Sequence, residues 1–138
     1  MNSSSEITRL VKIYNQIPKD FKCHHCHLCC GPIIWFQPEE YLIRKFLNKH
    51  KLDYIVWSEN DFKKNNMRCP YLKDGKCIIY PVRPIVCRLQ GHIPELPCKM
   101  IKDISFDKLK IKKIETEFKK LINDSGSVGR FYSTKRYY

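Results

Sequence analysis

Residues 21–32 read FKCHHCHLCCGP, and this short stretch contains half of the chain's eight cysteines. The four are Cys23, Cys26, Cys29 and Cys30. A C-x-x-C pair is a common metal-binding knuckle, because a tight turn can aim both sulfurs at one ion. Two such pairs overlap here. Cysteines that only fill space in a core are not expected to cluster in this way, so the stretch predicts a metal site.

Two details of this stretch limit how its side chains can coordinate a metal: two of the cysteines are adjacent, and histidines lie between the others. Successive side chains point to opposite faces of an extended segment and diverge by about 100° in a helix. Cys29 and Cys30 are therefore poorly placed to chelate one small ion together, and we expect them to serve different centres or different roles. The histidines are interpreted as turn residues beside the site. They are His24, His25 and His27.

A second group of cysteines follows after a long spacer, in a segment rich in proline. The group comprises Cys69, Cys77, Cys87 and Cys98. Such a segment cannot form one long helix. Residues 67–100 are therefore predicted to form loops and turns that a bound metal holds in a defined conformation. Four upstream and four downstream thiols suit two tetrahedral sites, or one site with spare thiols.

Basic residues adjoin the cysteines along the chain. Four thiolates around Zn²⁺ or a [4Fe–4S]²⁺ cluster leave a net charge of about −2, which a small domain must compensate. Nearby cations also lower the pKa of a thiol and favour the ligating thiolate. The basic residues immediately next to a cysteine in the sequence are Lys22, Arg68, Lys76, Arg88 and Lys99.

Hydrophobic periodicity and capping residues predict several short elements outside the cysteine groups. Helices are expected at 6–17, from Pro38 to about residue 50, after Ser58, and at 103–122, with β-prone runs at 33–37 and 53–57. The second helix is expected to bury Tyr41, Leu42, Phe46 and Leu47. The last helix is expected to bury Leu109, Ile111, Ile114, Phe118, Leu121 and Ile122.

These elements predict a small α-rich, metal-stapled domain with minor β structure. Its predicted extent is 1–122, followed by a basic, aromatic tail at 123–138. Short helices and a small two-stranded element would pack around the cysteine cluster. The chain's 138 residues suit a single domain.

Composition indicates which kinds of partner and which cellular compartment to expect. The net charge of +12 favours an acidic partner, such as nucleic acid or an acidic protein. The N-terminus shows no secretory signal, and no window approaches the roughly 18 apolar residues of a membrane span. We therefore expect a cytoplasmic protein, in which eight cysteines serve as metal ligands or redox groups rather than disulfides. A phosphate-binding GxxxxGK[ST] loop is absent from the sequence.

The two cysteine groups together resemble the YkgJ-like cysteine-cluster family, the CxxCxxCC zinc- or iron-chelating domains. The resemblance rests on C-x-x-C-x-x-C-C at 23–30 and on CPYLKDGKCIIYPVRPIVCR at 69–88. The intervening IIWFQPEEYLIRKFL is similar to the family's strand-then-helix spacer. The similarity covers about 21–98. It departs from the family at His27, where glycine is frequent, and at the LQG that follows Arg88.

The resemblance implies roles for individual residues. Seven cysteines match the family's motif positions as metal ligands, and Cys98 follows the departure at LQG. Arg83 and Arg88 match the R-P and C-R positions, which implies that they neutralise the thiolates or bind an anionic substrate. Tyr80 is expected to hydrogen-bond near the site. A similar domain in a flagellin lysine methylase looks like an iron–sulfur site, which implies a [4Fe–4S] cluster and protein-modification chemistry.

Three functions remain open at this stage. The first is an iron–sulfur or iron protein with redox or modifying activity. The second is a structural zinc module that presents the lysine-rich helix and the tail to nucleic acid or protein. The third is metal storage or delivery. The sequence indicates neither a catalytic residue nor a substrate, so whether the protein is an enzyme stays undecided.

Overall fold

A computed structural model describes residues 4–17, 34–89, 107–126 and 130–131. The described part is helix-rich, with two small antiparallel two-stranded sheets. The elements are α1 (Ser4–Asn15), β1 (Ile34–Trp35), α2 (Gln37–Lys49), α3 (Glu59–Lys64), β2 (Leu72–Lys73), β3 (Lys76–Cys77), a 3₁₀ turn (Tyr80–Val82), α4 (Ile85–Leu89), α5 (Lys108–Ser125) and β4 (Arg130–Phe131). The prediction of a small α-rich domain with minor β structure is confirmed.

Local capping explains where the helices begin and end. Before α3, the Ser58 hydroxyl accepts a hydrogen bond from the Asp61 amide at 3.2 Å, and the Asp61 carboxylate accepts one from the Ser58 amide at 2.9 Å. This is a capping box. The Asp107 carboxylate caps α5 through the Leu109 amide at 2.8 Å. Gly126, with φ of 64°, ends α5 in the left-handed conformation that glycine favours.

The apolar side chains form two clusters with α2 between them. The first, which we call the helical core, joins α1, α4 and α5. Its buried members are Leu10, Ile13, Tyr14, Ile17, Ile85, Leu89, Ile111, Ile114, Phe118 and Leu121. The second, the hairpin core, joins α2 to the β2–β3 region, and Cys69 and Cys77 pack against it. Its buried members are Trp35, Ile43, Leu47, Tyr71 and Ile79. The two halves of the domain therefore meet along α2.

Two predicted core residues are exposed, and helical geometry explains why. Leu109 is 78% exposed and Tyr41 is 39% exposed. The buried face of α2 follows Glu39, Ile43 and Leu47 at intervals of four residues. Tyr41 lies two residues from Glu39, on the opposite side of the helix. Leu109 is displaced in the same manner from the buried stripe of α5.

Three segments differ from the sequence-based expectation. Residues 53–57 form no strand; their backbone instead covers the hairpin core, where the Ile55 amide donates to the Tyr71 hydroxyl at 3.0 Å. α5 continues through Ser125, three residues into the predicted tail. Within that tail, β4 pairs antiparallel with β1. Among the described residues, no helix is both long enough and apolar enough to cross a membrane.

One charged side chain lies fully buried at the junction of the two cores. Glu39, in the first turn of α2, has no solvent exposure. Its Oε2 accepts hydrogen bonds from the Tyr14 hydroxyl and the Ile85 amide, both at 2.5 Å, and its Oε1 accepts one from the Phe36 amide at 3.3 Å. The carboxyl group thus ties α1 and α4 to the start of α2.

Burial sets the ionisation of this group. Desolvation raises the pKa of Glu39 from 4.5 to about 7, against the opposing effect of its hydrogen bonds and of the Arg88 charge. Because the folded-state value lies above the unfolded one, the folded state binds the proton more tightly. This stabilisation is present in full below about pH 4.5 and is lost as the pH rises through about 7.

The substitution Glu39→Gln removes this titration. The free energy of unfolding of the wild type, measured relative to that of Glu39→Gln, should fall by up to about 3 kcal/mol between pH 4.5 and pH 8. Urea unfolding across that range measures the difference. The control is Glu115→Gln on α5, which should follow the wild-type pH profile. Parallel profiles for Glu39→Gln and the wild type would contradict the assignment.

Candidate metal centre

A tight hairpin positions the first two described cysteines. Asp74 and Gly75 form its turn with φ values of 51° and 74°, the pair of positive values that a type I′ turn requires. The turn places Cys77 opposite Leu72 in the β2–β3 ladder. Cys69 precedes the hairpin, and its carbonyl accepts a hydrogen bond from the Leu72 amide at 3.1 Å.

The third cysteine lies on α4, and Glu39 positions that helix. The amide of Ile85, the first residue of α4, donates to the Glu39 carboxylate. An amide in the first turn of a helix has no partner within the helix, so the carboxylate supplies one. Ile85 and Leu89 bury one side of α4 in the helical core. Cys87 lies between these two anchors.

The thiols of Cys69 and Cys77 act electrostatically on the thiol of Cys87, although the chain separates the three residues. All three are partly buried. The pKa of Cys87 is raised well above its ordinary value, first by burial and then by the negative charges that Cys69 and Cys77 carry as thiolates. The positive charge of Arg83 acts in the opposite direction. The fold therefore gathers three of the eight predicted ligands into one electrostatic neighbourhood.

The other predicted ligands lie outside the described residues. These are Cys23, Cys26, Cys29, Cys30 and Cys98. The histidines interpreted as turn residues, His24, His25 and His27, lie there too. Within 4–17, 34–89, 107–126 and 130–131, no three Cys, His, Asp or Glu side chains form a group arranged to hold a metal ion. Ligation by each of the eight cysteines stays a prediction.

The two predicted arginines flank Cys87 and are held by the backbone. Arg88 donates from Nε to the Arg83 carbonyl at 2.7 Å and from Nη2 to the Pro81 carbonyl at 2.9 Å. Its guanidinium carbon lies 3.9 Å from the centre of the Tyr14 ring. The Arg83 Nε donates to the Tyr80 carbonyl at 3.0 Å. Both cations are therefore fixed near the thiols.

Tyr80 contacts Arg83 through its ring. The Arg83 guanidinium lies 3.8 Å from the centre of that ring, a cation–π contact. Tyr80 itself is 41% exposed. Its ring and its carbonyl both contact Arg83, and a hydrogen bond from Tyr80 to the metal site stays a prediction.

Sequence reasoning missed Glu39 as a determinant of this centre. An acidic residue in the first turn of a helix normally has a sufficient explanation in the helix dipole. The signal that could have identified it is its register with Ile43 and Leu47, at intervals of four residues, which places Glu39 on the buried face of α2.

The donor set fits a zinc ion or an iron–sulfur cluster. Clustered thiolates are ligands for both. The Cys87 thiol, whose pKa is raised, would give up its proton on binding a metal, and the metal charge would offset the repulsion among the thiolates. Arg83 and Arg88 can offset the negative charge that remains.

Comparison with known proteins agrees with this chemistry. Residues 22–122 match the family model CxxCxxCC, whose description is "Putative zinc- or iron-chelating domain". A search of curated proteins finds no match, and a search of solved structures finds none either. The family match covers most of the chain, including both cysteine groups and most of α5. The chain therefore belongs to the CxxCxxCC family.

Proposed function

We propose that this protein holds a [4Fe–4S] cluster through thiolates drawn from both cysteine groups. Cys69, Cys77 and Cys87 would supply ligands from the downstream group, and the CxxCxxCC motif at 23–30 would complete the set. The observation that carries this proposal is that Cys69 and Cys77 both act electrostatically on Cys87, although the three residues lie in a loop, a hairpin and a helix.

Partial burial of three thiols, two of which act electrostatically on the third, favours a cationic group beside them. Without a metal, each thiolate would be partly desolvated and would repel any thiolate near it. Cluster iron bonded to the sulfurs would offset both costs. Four thiolates suffice for one cluster, so the chain carries enough cysteines for a second centre or for reactive thiols. Such a surplus would leave room for the separate roles that side-chain geometry predicts for Cys29 and Cys30.

The surroundings of the three thiols suit a cluster that exchanges electrons. Cys69 and Cys77 pack against the apolar hairpin core, while Arg83 and Arg88 supply positive charge near Cys87. Burial, net charge and hydrogen bonds to the sulfurs set the reduction potential of such a cluster. When bound, the group would supply one-electron transfer for redox or protein-modifying chemistry. A reducing cytoplasm is the compartment we propose for it.

The metal content of cysteine variants tests the proposed ligands. Protein purified without oxygen should be brown and absorb near about 400 nm. Cys29→Ser and Cys69→Ser should each lower the bound iron, because each removes a thiolate ligand. Met67→Leu is the control: it removes a sulfur two residues from Cys69 and should keep the wild-type iron content. Unchanged metal in both serine variants would contradict the proposed ligand set.

The hairpin turn offers an independent test of the role of Cys77. Gly75 and Gly126 both have positive φ, and a Cβ added at either one would meet open space. Alanine at either position should therefore cost about 1 kcal/mol of stability through backbone strain alone.

Only Gly75 shapes the loop that carries Cys77, so the two alanine variants should differ in metal retention. Gly75→Ala should lose metal to a competing chelator up to about fivefold more readily than the wild type. Gly126→Ala, at the end of α5, should match the wild type. Equal chelator resistance in the two variants, at equal loss of stability, would show that the hairpin does not position a ligand.

A second candidate function is a zinc module with a basic surface, and the exposed lysines of α5 favour it. They are Lys108, Lys110, Lys112, Lys113, Lys119 and Lys120. Lys113 makes a salt bridge with Glu117 at 4.0 Å, a distance at which the lysine remains accessible to a partner.

Nucleic-acid binding through this surface would depend strongly on salt, because phosphate contacts release counterions. On this alternative, the affinity for a short DNA duplex should fall by about tenfold or more between 50 and 200 mM salt, and glutamine at Lys112 and Lys119 should weaken it. Fluorescence anisotropy measures both effects. Absent or salt-insensitive binding would remove this candidate.

A further inference from the structure

A cleft of about 390 Å³ lies between α1 and the segment that runs from the 3₁₀ turn into α4. Its volume falls within the range of roughly 300–1,000 Å³ typical of small-molecule sites. Val11, Leu42 and Val82 contribute apolar surface, while Arg83 and Arg88 contribute charge. No acidic residue is among the described residues that line it.

We propose that this cleft binds a small organic anion, with Arg83 and Arg88 holding its carboxylate or phosphate group and the apolar side chains contacting the remainder. The proposal goes beyond metal binding. It stands on the shape and charge of the cleft and does not depend on which metal the cysteines hold.

The two guanidinium groups are fixed in place and keep hydrogen-bond donors for a ligand. Counting only bonds to the described residues, Arg83 uses its Nε–H on the Tyr80 carbonyl and keeps both terminal nitrogens. On the same count, Arg88 uses Nε and Nη2 on two carbonyls and keeps Nη1. Stacking on Tyr80 and Tyr14 holds both planes. Guanidinium groups that are already held in place lose little conformational freedom when they bind an oxyanion.

The charge of the cleft is not neutralised by ion pairs. Elsewhere, Arg9 pairs with Asp124 at 3.1 Å and Arg44 with Glu40 at 3.7 Å. In the part of the chain that the structure describes, neither Arg83 nor Arg88 has an acidic partner at salt-bridge distance.

The positive charges of Arg83 and Arg88 act on each other at the cleft. Burial and the neighbouring charge of Arg83 lower the pKa of Arg88, while the charges of Tyr14, Glu39 and Cys87 in their ionised forms act in the other direction. Among the described residues, the donors to the Glu39 carboxylate are Tyr14, Ile85 and Phe36, and Arg88 is not one of them. An anion in the cleft would relieve the repulsion between the two arginines.

The cleft also borders the proposed metal centre. Arg83 and Arg88 both act electrostatically on Cys87, so one pair of cations faces the thiols and the cleft. A ligand held by these arginines would lie beside the metal group. The cleft is therefore the place where we expect a substrate or regulator of that group to bind.

Isothermal titration calorimetry of the full chain, purified with its metal, tests the proposal. Phenyl phosphate and benzoate are the probes, and phenol is the uncharged control. The wild type should bind at least one of the two anions and should bind phenol at least about tenfold more weakly. Comparing the affinities for phenyl phosphate and benzoate shows whether the cleft prefers phosphate or carboxylate. No binding of either anion, or equal binding of phenol, would overturn the proposal.

Substitutions locate the binding. Arg83→Gln should lower the affinity for the tighter-binding anion by about tenfold or more. Arg83→Lys keeps the positive charge but loses the planar guanidinium group, so its affinity should lie between those of the wild type and Arg83→Gln. The matched control is Arg44→Gln, because Arg44 also stacks on a tyrosine, with its guanidinium 3.8 Å from the Tyr54 ring centre. Equal affinity in Arg83→Gln and the wild type would overturn the proposal.

A steric variant keeps the test independent of the metal centre. Val11 on α1 is 41% exposed at the cleft, and Val56, 47% exposed, lies elsewhere. Val11→Trp should block the probe and retain wild-type metal, whereas Val56→Trp should change neither. Metal analysis of every variant separates loss of the anion site from loss of the proposed cluster. Unchanged probe affinity in Val11→Trp would contradict binding in this cleft.

Discussion

The buried carboxyl group of Glu39 is the constraint on which the rest of the structure depends. A carboxyl group without solvent exposure needs hydrogen-bond donors, and this one takes them from three different places in the chain. Tyr14 brings α1, the Phe36 amide closes the start of α2, and the Ile85 amide brings α4. Since α4 is only five residues long, this contact does much to fix its position.

The position of α4 connects the core to the chemistry of the protein. Cys87 and Arg88 follow Ile85 closely, so the contact that satisfies Glu39 also positions the helix that carries a thiol and a cation. The hairpin core supplies Cys69 and Cys77 from the other side. A metal group and an anion cleft that share Arg83 and Arg88 would join redox chemistry to ligand binding in a small domain.

Much of this architecture follows from local sequence rules. Ser58, Asp107 and Gly126 mark helix ends by capping, and the Asp74–Gly75 turn follows from the φ values that glycine and aspartate tolerate. The buried stripe of α5 follows from its period. The burial of Glu39 is harder to predict, because an acidic residue at a helix start has a sufficient explanation at the surface, and only its register with Ile43 and Leu47 indicates the buried face. Residues 53–57 have β propensity, but the backbone covers Tyr71 and has no strand partner. The electrostatic effect of Cys69 and Cys77 on Cys87 depends on how the two cores meet, which a single sequence does not encode locally.

The central claim is that the gathered thiols hold an iron–sulfur cluster. The most direct measurement is the iron, zinc and acid-labile sulfide content of protein purified without oxygen. A [4Fe–4S] cluster requires about four iron and four sulfide per occupied site, and our account predicts iron and sulfide in equal amounts with little zinc. Stoichiometric zinc without sulfide would contradict it.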